Sequence, residues 1–172
     1  MNELKKTALF NVHKKYGGKI VDYAGWALPM EFEGLTAEHE AVRNAAGVFD
    51  VSHMGEVEVK GSQAEAYLQS LVTNDIGVLK DNQIVYTFMC YPNGGILEDL
   101  LVYKFTNDHF FLVINASNTA KDLQWMKDHI GTYDVEMVNI SDDLSEIALQ
   151  GPKAEEILQQ LTDINLSEIG FF

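Results

Sequence analysis

Two adjacent carboxylates, Glu98 and Asp99, interrupt the apolar run that follows a tight Asn93-Gly-Gly turn. Side chains in a strand alternate faces, so Leu97, Asp99, Leu101 and Tyr103 share one face and Ile96, Glu98, Leu100 and Val102 the other. Both faces read as mainly apolar, which predicts a sheet covered on both sides. A carboxylate in such a place must be paired, hydrogen-bonded, neutralised or used. Asp99 therefore has three readings. It is a structural acid accepting backbone N–H bonds beside the turn, a surface acid at a sheet edge, or a functional acid at the rim of a pocket formed with Leu97, Leu101 and Tyr103. Glu98 is its rival on the opposite face.

Other chemistry-bearing residues are more scattered. His53 lies in Phe49-Asp-Val-Ser-His-Met-Gly-Glu56, where Ser52 and Asp50 invite a nucleophilic reading. A catalytic triad is a spatial arrangement that sequence neighbours rarely provide, and no GxSxG elbow surrounds Ser52. His53 reads as a structural hydrogen-bonder, as does His39, one helical turn before Arg43. Cys90 is the only cysteine, so no internal disulfide is possible, and no CxxC or His/Cys cluster offers a metal site. It sits in a strand-like run and reads as a core residue. Met54, Tyr86, Tyr103, Val113 and Asn115 could line a cleft around a planar heterocycle, or could simply pack a core. Gly94-Gly95 is too short for a phosphate loop, and there is no GxGxxG or GxxxxGK motif.

The elements that position these residues follow from periodicity and punctuation. Lys19 to Tyr23 reads as a short strand within irregular structure broken by Gly17-Gly18, Gly25 and Pro29. Thr36 to Ala46 reads as a helix capped by Thr36 and ended by Gly47. Val48 to Val51 is short and apolar. Gly55 to Lys60 alternates Val57 and Val59 against Glu56, Glu58 and Lys60, the pattern of a half-exposed strand. Ser62-Gln-Ala-Glu65 fits a capping box, with Ala66, Leu68 or Tyr67, and Leu71 or Val72 on the buried stripe of its helix. Ile84 to Cys90, Ile96 to Phe105 and His109 to Asn115 form a three-stranded meander. Its turns are Tyr91-Pro-Asn-Gly-Gly95 and Asn107-Asp108. Ser117 caps a helix running to about Ile130. Tyr133 to Ile140 and Leu144 to Leu149 are strands, and Gly151-Pro152 opens a last helix with Pro152 at its first position. Hairpins mixed with separate helices define an α+β fold of mainly antiparallel sheets with packed helices, not a doubly wound parallel sheet.

Composition bounds the rest. The 172 residues suffice for one substantial domain or two small ones, and the hydrophobic content of 47% is that of a globular protein. A formal net charge of −14 argues against non-specific binding to nucleic acid or anionic membranes. Arg43 is the only arginine, which matters because arginine is the usual bidentate carboxylate clamp. No apolar run reaches the roughly 18–20 residues of a membrane span. The N-terminus shows no signal or import leader, so a soluble protein of a bacterial cytoplasm is expected. Ser167-Glu-Ile-Gly-Phe-Phe172 carries two terminal aromatics and no polar tail, which reads as a piece of a longer chain.

Taken together, three segments resemble the N-terminal part of the aminomethyltransferase family, the glycine cleavage T-proteins. They are Val21-Asp-Tyr-Ala-Gly-Trp-Ala-Leu-Pro29, Glu38-His-Glu-Ala-Val-Arg-Asn-Ala-Ala-Gly-Val-Phe-Asp-Val-Ser-His-Met54 and Gly94-Gly-Ile-Leu-Glu-Asp-Leu-Leu-Val-Tyr103. Ala148-Leu-Gln-Gly-Pro152 matches as well. Order and spacing agree from about residue 7 to the end.

The resemblance implies the family's folate-binding fold and its reaction. A lipoyl-bearing H-protein presents an aminomethyl group, tetrahydrofolate takes the methylene as co-substrate, and ammonia leaves. It implies that Asp99 is the family's key aspartate, orienting the folate amine and stabilising developing positive charge. It further implies that Met54, Tyr86, Tyr103, Val113 and Asn115 contribute to the folate cleft, with no metal. Family members usually carry Asp where this chain has Glu98. That implies a position tolerant of side-chain length and leaves the role with Asp99. They also run to roughly twice this length, in line with a protein of two or three domains. The chain from 1 to 172 then corresponds to an N-terminal folate-binding region, inactive alone. The acid that reads the pterin edge and the arginines near the folate tail are expected beyond it. Two related readings compete. One is a folate-binding accessory protein for iron–sulfur enzymes, marked by a Lys-Gly-Cys segment further along, outside this chain or absent from it. The other is the folate domain of a sarcosine or dimethylglycine dehydrogenase, which follows a flavin domain, whereas this chain begins at Met1.

Overall fold

The computed structural model describes residues 3–171. Its elements in chain order are α1 (Phe10–Lys15), β1 (Ile20–Tyr23), β2 (Trp26–Pro29), α2 (Leu35–Asn44), β3 (Gly47–Asp50), β4 (Gly55–Lys60) and α3 (Ala64–Leu71). There follow β5 (Gln83–Cys90), β6 (Ile96–Thr106), β7 (His109–Ile114), α4 (Thr119–Asp128), β8 (Glu136–Asn139), β9 (Ile147–Gln150) and α5 (Ala154–Gln159). Helices and antiparallel sheets mix as the α+β reading expects, and all the ladders of the named strands are antiparallel. Met1 and the terminal Phe172, on which expectations about the chain's ends rest, lie outside the described residues.

The chain divides into two compact units. One comprises residues 3–53 together with 145–171. It holds the β1–β2 hairpin and the two-stranded β3–β9 sheet, in which Val48 faces Leu149 and Phe49 faces Ala148. The helix before β3 starts one residue earlier than Thr36 and is not capped by it. Gly34 takes the N-cap position at φ 112°, a left-handed conformation that suits glycine. Glu38, inside the first turn, accepts the free N–H groups of Phe32, Glu33 and Gly34 at 2.6, 2.8 and 3.0 Å. A longer side chain reaching back from within the helix thus does the capping. Its carboxyl is held below the usual range, first by the Phe32 N–H. Gly47 does not end that helix directly; it begins β3.

The second unit runs from Met54 to Leu144 and carries a five-stranded sheet in the order β5-β6-β7-β4-β8. The meander β5-β6-β7 forms as expected. Its first turn closes with Tyr91 N–H donating to Gly95 O at 2.8 Å, and Asn93 Oδ1 accepts the Gly95 N–H at 3.0 Å. One face of the sheet is buried by α3 and α4. Val57, Val59, Leu100, Val102, Phe110, Leu112 and Ile114 pack there against Tyr67, Leu68, Leu71 and Met126. Tyr67 ties the two helices together by donating to Met126 O at 2.6 Å.

Several local expectations change. The capping box does not form, because Ser62 donates to Asp134 and Glu65 pairs with Lys104 at 2.7 Å. Lys104 is 3% exposed, so its charge requires Glu65 as partner more than the helix end requires a cap. The buried stripe of α3 starts at Ala64, while Ala66 is exposed. Ser117 lies in a 3-10 turn, Ala116–Asn118, and Asn118 stands at the N-cap of α4 without a side-chain capping bond. Pro152 precedes α5 instead of opening it. Opposite the helices burial of the second unit's sheet is uneven: Glu56 and Val113 are buried, Leu101 and Tyr103 half-buried and Tyr86 48% exposed.

Candidate functional site

The register brings four of the six sequence-predicted site residues, Tyr86, Asp99, Tyr103 and Val113, to one face of one sheet, and Asn115 joins them from the end of β7. β5 and β6 pair Tyr86 with Leu101 and Phe88 with Asp99, while β6 and β7 pair Leu101 with Val113 and Tyr103 with Phe111. β7 and β4 pair Val113 with Glu56. Met54 and Asn115 lie just outside β4 and β7; Asn115 reaches Asp99 through its side-chain amide, and Met54 directly precedes β4. Cross-strand neighbours on one face are in reach of one another, so the site is a set of rows across four strands. One row pairs Asp99 with Phe88 and is extended by Asn115. The next is Glu56, Val113, Leu101 and Tyr86, and the third ends in Phe111, Tyr103 and Ile84.

Leu97 leaves the group in which alternation places it. The ladder slips between Met89 and Cys90, so that Met89 faces Glu98 and Cys90 faces Ile96. Leu97 is the extra residue of this bulge, and it packs in the core at 5% exposure. A bulge resets the alternation on one side of itself. Asp99 therefore shares its face with Leu101 and Tyr103, without Leu97.

Asp99 is half-buried and is held by side chains, not by backbone N–H groups. Tyr86 Oη donates to its Oδ2 at 2.7 Å, and Asn115 Nδ2 donates to its Oδ1 at 3.2 Å. The hydrogen bond to Asp99 raises the Tyr86 phenol above its ordinary value, with burial and the charges of Asp99 and Glu98 adding to it. Around this carboxylate lie the apolar or aromatic surfaces of Phe88, Leu101, Tyr103 and Val113. Tyr103 and Phe111 stack edge to face at 5.5 Å between centroids. The result is an apolar floor with a charged hydrogen-bonding group at one end, the arrangement that orients a flat, amine-bearing heterocycle.

Glu98 faces the helices and is 3% exposed. Its Oε1 accepts Asn115 Nδ2 at 2.7 Å and the Asp99 N–H at 3.0 Å. Burial raises its carboxyl, but hydrogen bonds from Asp122, Asn115, Asn118 and the Asp99 N–H outweigh that and leave it below the usual range. Asp122, in the first turn of α4, is fully buried beside it. The residue-level reading overlooked Asp122. Its spacing to Met126 on the buried stripe of α4 is the signal that could have found it. Glu56 is likewise not on an exposed face: it is 2% exposed, flanked by Val113 on β7 and by Ile140, whose N–H donates to Glu56 O at 3.0 Å.

The remaining candidates lie elsewhere. His53 meets Tyr23 edge-on at 5.4 Å, and its Nδ1 is buried without the expected hydrogen bond. Burial lowers its pKa, only partly opposed by Asp50. Ser52 and Asp50 serve structure: Ser52 Oγ and the backbone of Glu146 exchange hydrogen bonds, and Asp50 accepts Thr7 Oγ1 at 2.6 Å and lies 3.2 Å from His13. Among the described residues no group of three or more His, Cys, Asp or Glu side chains is placed to hold a metal ion. Among the described residues no helix is long and apolar enough to cross a membrane.

Fold and site together define an antiparallel-sheet domain that presents a hydrogen-bonded aspartate beside an open aromatic face. The chain belongs to the GCVT N-terminal domain family, whose model matches residues 9–172. It is 67% identical over its whole length to an aminomethyltransferase of Alkaliphilus oremlandii and 64% identical to one of Thermoanaerobacter sp.. In both cases it covers 47% of the relative, so it spans about half the length of the curated relatives it matches. The crystal structure of glycine cleavage system aminomethyltransferase T from Bartonella henselae superposes with a TM-score of 0.87 at 32% identity, over 91% of this chain and 43% of that one. A heterotetrameric sarcosine oxidase from Corynebacterium sp. U-96 aligns with a TM-score of 0.51 at 19% identity, over 78% of this chain and 67% of that one. That likeness is one of fold alone.

Proposed function

We propose that this chain is the Asp99-bearing part of a tetrahydrofolate-dependent aminomethyltransferase of glycine cleavage. The observation that carries the reading is the Asp99 carboxylate, held by Tyr86 and Asn115 at the end of an apolar, aromatic sheet face. The residues present fit the co-substrate. Tyr86, Leu101, Tyr103 and Val113 offer flat apolar surface to a pterin, and Asp99 offers an acceptor to its amine. Bound tetrahydrofolate supplies the nucleophilic nitrogen that accepts the methylene. Asp99 orients that amine and stabilises the positive charge that develops as ammonia leaves, which only a fixed anion in a partly dry site does well. Tyr86 and Asn115 keep both carboxylate oxygens aimed, and Met54 and Val113 complete the floor.

The partner in this reading is a lipoyl-bearing H-protein, and the setting is glycine catabolism in a bacterial cytoplasm. Support comes from family membership and from bacterial relatives that carry the aminomethyltransferase name. Neither the iron–sulfur accessory reading nor the sarcosine dehydrogenase reading has support of that kind. The test is ammonia release from aminomethyl-loaded H-protein by the intact protein. Release that depends on tetrahydrofolate is expected. Folate binding without any release would sink the transferase reading in favour of an accessory role.

A further inference from the structure

Behind Asp99 stands a second pair of acids that the transfer reaction does not use directly. Asp122 is 0% exposed and Glu98 3%. The two carboxyls lie within hydrogen-bonding reach of each other. Among the described residues Glu98 Oε2 and both oxygens of Asp122 accept no hydrogen bond of good geometry; beyond each other they have only Asn118 beside Glu98 and Lys121 beside Asp122, both at the margin. Two carboxylates in so dry a place cannot both be ionised, and a single proton between them satisfies both. Lys121 does not substitute for that proton. Its Nζ is 3.5 Å from Asp122 Oδ1 and donates at 2.7 Å to Leu97 O.

The other oxygen of Glu98 leads to the site. It accepts the Asn115 amide at 2.7 Å and the N–H of Asp99 at 3.0 Å. The same Asn115 amide donates to Asp99 Oδ1 and to Asp99 O, each at 3.2 Å. Only the NH2 end of an asparagine can face two carboxylates, so this orientation is fixed by its neighbours. Asn115 follows the end of β7 and straddles the sheet, joining the helix-covered face to the open one.

We propose that Asp122 is a positioning acid: its proton, shared with Glu98, locks the Glu98 carboxylate so that it holds the Asn115 amide and the Asp99 backbone, and thereby aims the Asp99 carboxylate. The proposal rests on Asp99 being the acid that faces the folate amine. Burial first, and the neighbouring Glu98 second, push Asp122 up to about 8, with Lys121 opposing. The charged and polar groups that face the pair are Lys121, Asn115, Asn118 and, one step on, Asp99. As the shared proton is lost above that pH, Glu98 loses its donor and gains a repelling charge, and the aim of Asp99 loosens.

The experiment uses the intact protein and follows tetrahydrofolate-dependent methylene transfer from neutral pH to well above 8. Wild type should lose turnover as pH rises through about 8, because Asp122 titrates there. Asp122→Leu supplies no donor and should lower turnover at neutral pH by about tenfold, the effect expected of an unsatisfied buried acceptor. Asp122→Asn keeps a donor that cannot ionise; it should restore most of that loss and abolish the alkaline fall. The infrared carbonyl stretch of a protonated carboxylic acid should be present in wild type and absent from Asp122→Asn. An alkaline fall unchanged in Asp122→Asn, or an infrared band that survives it, overturns the proposal. Asp99→Asn, run in parallel, separates the two claims. Normal turnover there removes Asp99 from the reaction while the infrared band still reports on the Glu98–Asp122 pair. A dead Asp99→Asn beside an Asp122→Asn with the wild-type pH profile removes the positioning role alone.

Discussion

Tyr86 on β5 donates its phenolic hydrogen to Asp99 on β6 across 2.7 Å, reaching diagonally past the Tyr86–Leu101 pair. The bond joins an exposed aromatic to a half-buried carboxylate, and it fixes one oxygen while Asn115 fixes the other. An aspartate held at both oxygens by side chains is pre-aimed, so it needs little reordering when a cationic or amine-bearing ligand arrives.

Replacing that aspartate tests the central role. Asp99→Asn in the intact protein should lower methylene transfer by about 10²–10⁴-fold, the usual reach of one acid–base or charge-stabilising group. The amide preserves volume, so circular dichroism and thermal melting should match wild type. Undiminished turnover in a folded variant would count decisively against the assignment.

Tyr86 should affect the site more than the fold. Tyr86→Phe removes only the bond to Asp99; at a position 48% exposed, the melting temperature should stay close to that of wild type. Turnover should fall by about three- to tenfold, less than for Asp99 itself, since one of two aiming bonds remains. The phenol offers a second readout. Its raised pKa comes first from the bond to Asp99, so ultraviolet titration of Asp99→Asn should bring it back toward its ordinary value of 10.0. A phenol unmoved by Asp99→Asn would show that the pair does not form in solution.

The helix bridge gives a contrasting, structural prediction. Tyr67 is fully buried and donates to Met126 O at 2.6 Å. Tyr67→Phe should destabilise the protein by about 1 kcal/mol, the net value of a buried neutral hydrogen bond, and leave turnover unchanged. Denaturant unfolding measures the first and the transfer assay the second; a loss of turnover at full stability would contradict this division.

The buried acid pair also makes stability depend on pH. Asp122 is raised from 3.8 to about 8 on folding, so between those values the native state holds a proton that the unfolded chain has released. Its stabilising contribution is fully present below the lower value and is lost as pH rises through the upper one. Glu98 is lowered and acts in the opposite sense, contributing above its ordinary value and losing that contribution as pH falls. Asp122→Asn removes the first dependence. The melting temperature of wild type minus that of Asp122→Asn should therefore decline as pH rises between 3.8 and about 8. Calorimetry across that window, showing parallel curves instead, would mean that Asp122 is ionised throughout.

The amino-acid sequence by itself determined the meander, its Asn-Gly-Gly turn, the class of the fold and the face that Asp99 shares with Leu101 and Tyr103. These follow from local causes: strand alternation, turn-forming residues and the resemblance of contiguous motifs. It also marked Tyr86 and Val113, which the ladders pair with Leu101, one row from Asp99, and Asn115, whose amide bonds Asp99. What only the tertiary structure decided depends on partners far along the chain. The slip opposite Cys90 sends Leu97 to the core, because a bulge is a property of two strands and not of one. Glu56 reads as solvent-facing on β4 alone and is 2% exposed in the fold, where Val113 of β7 pairs with it and Ile140 and Ser141 bond its backbone. Ser62 and Glu65 leave the helix end for Asp134 and Lys104, since a buried lysine needs its counter-charge. Asp122 looks like an ordinary helical acid until packing buries it fully against Glu98, where desolvation decides its protonation.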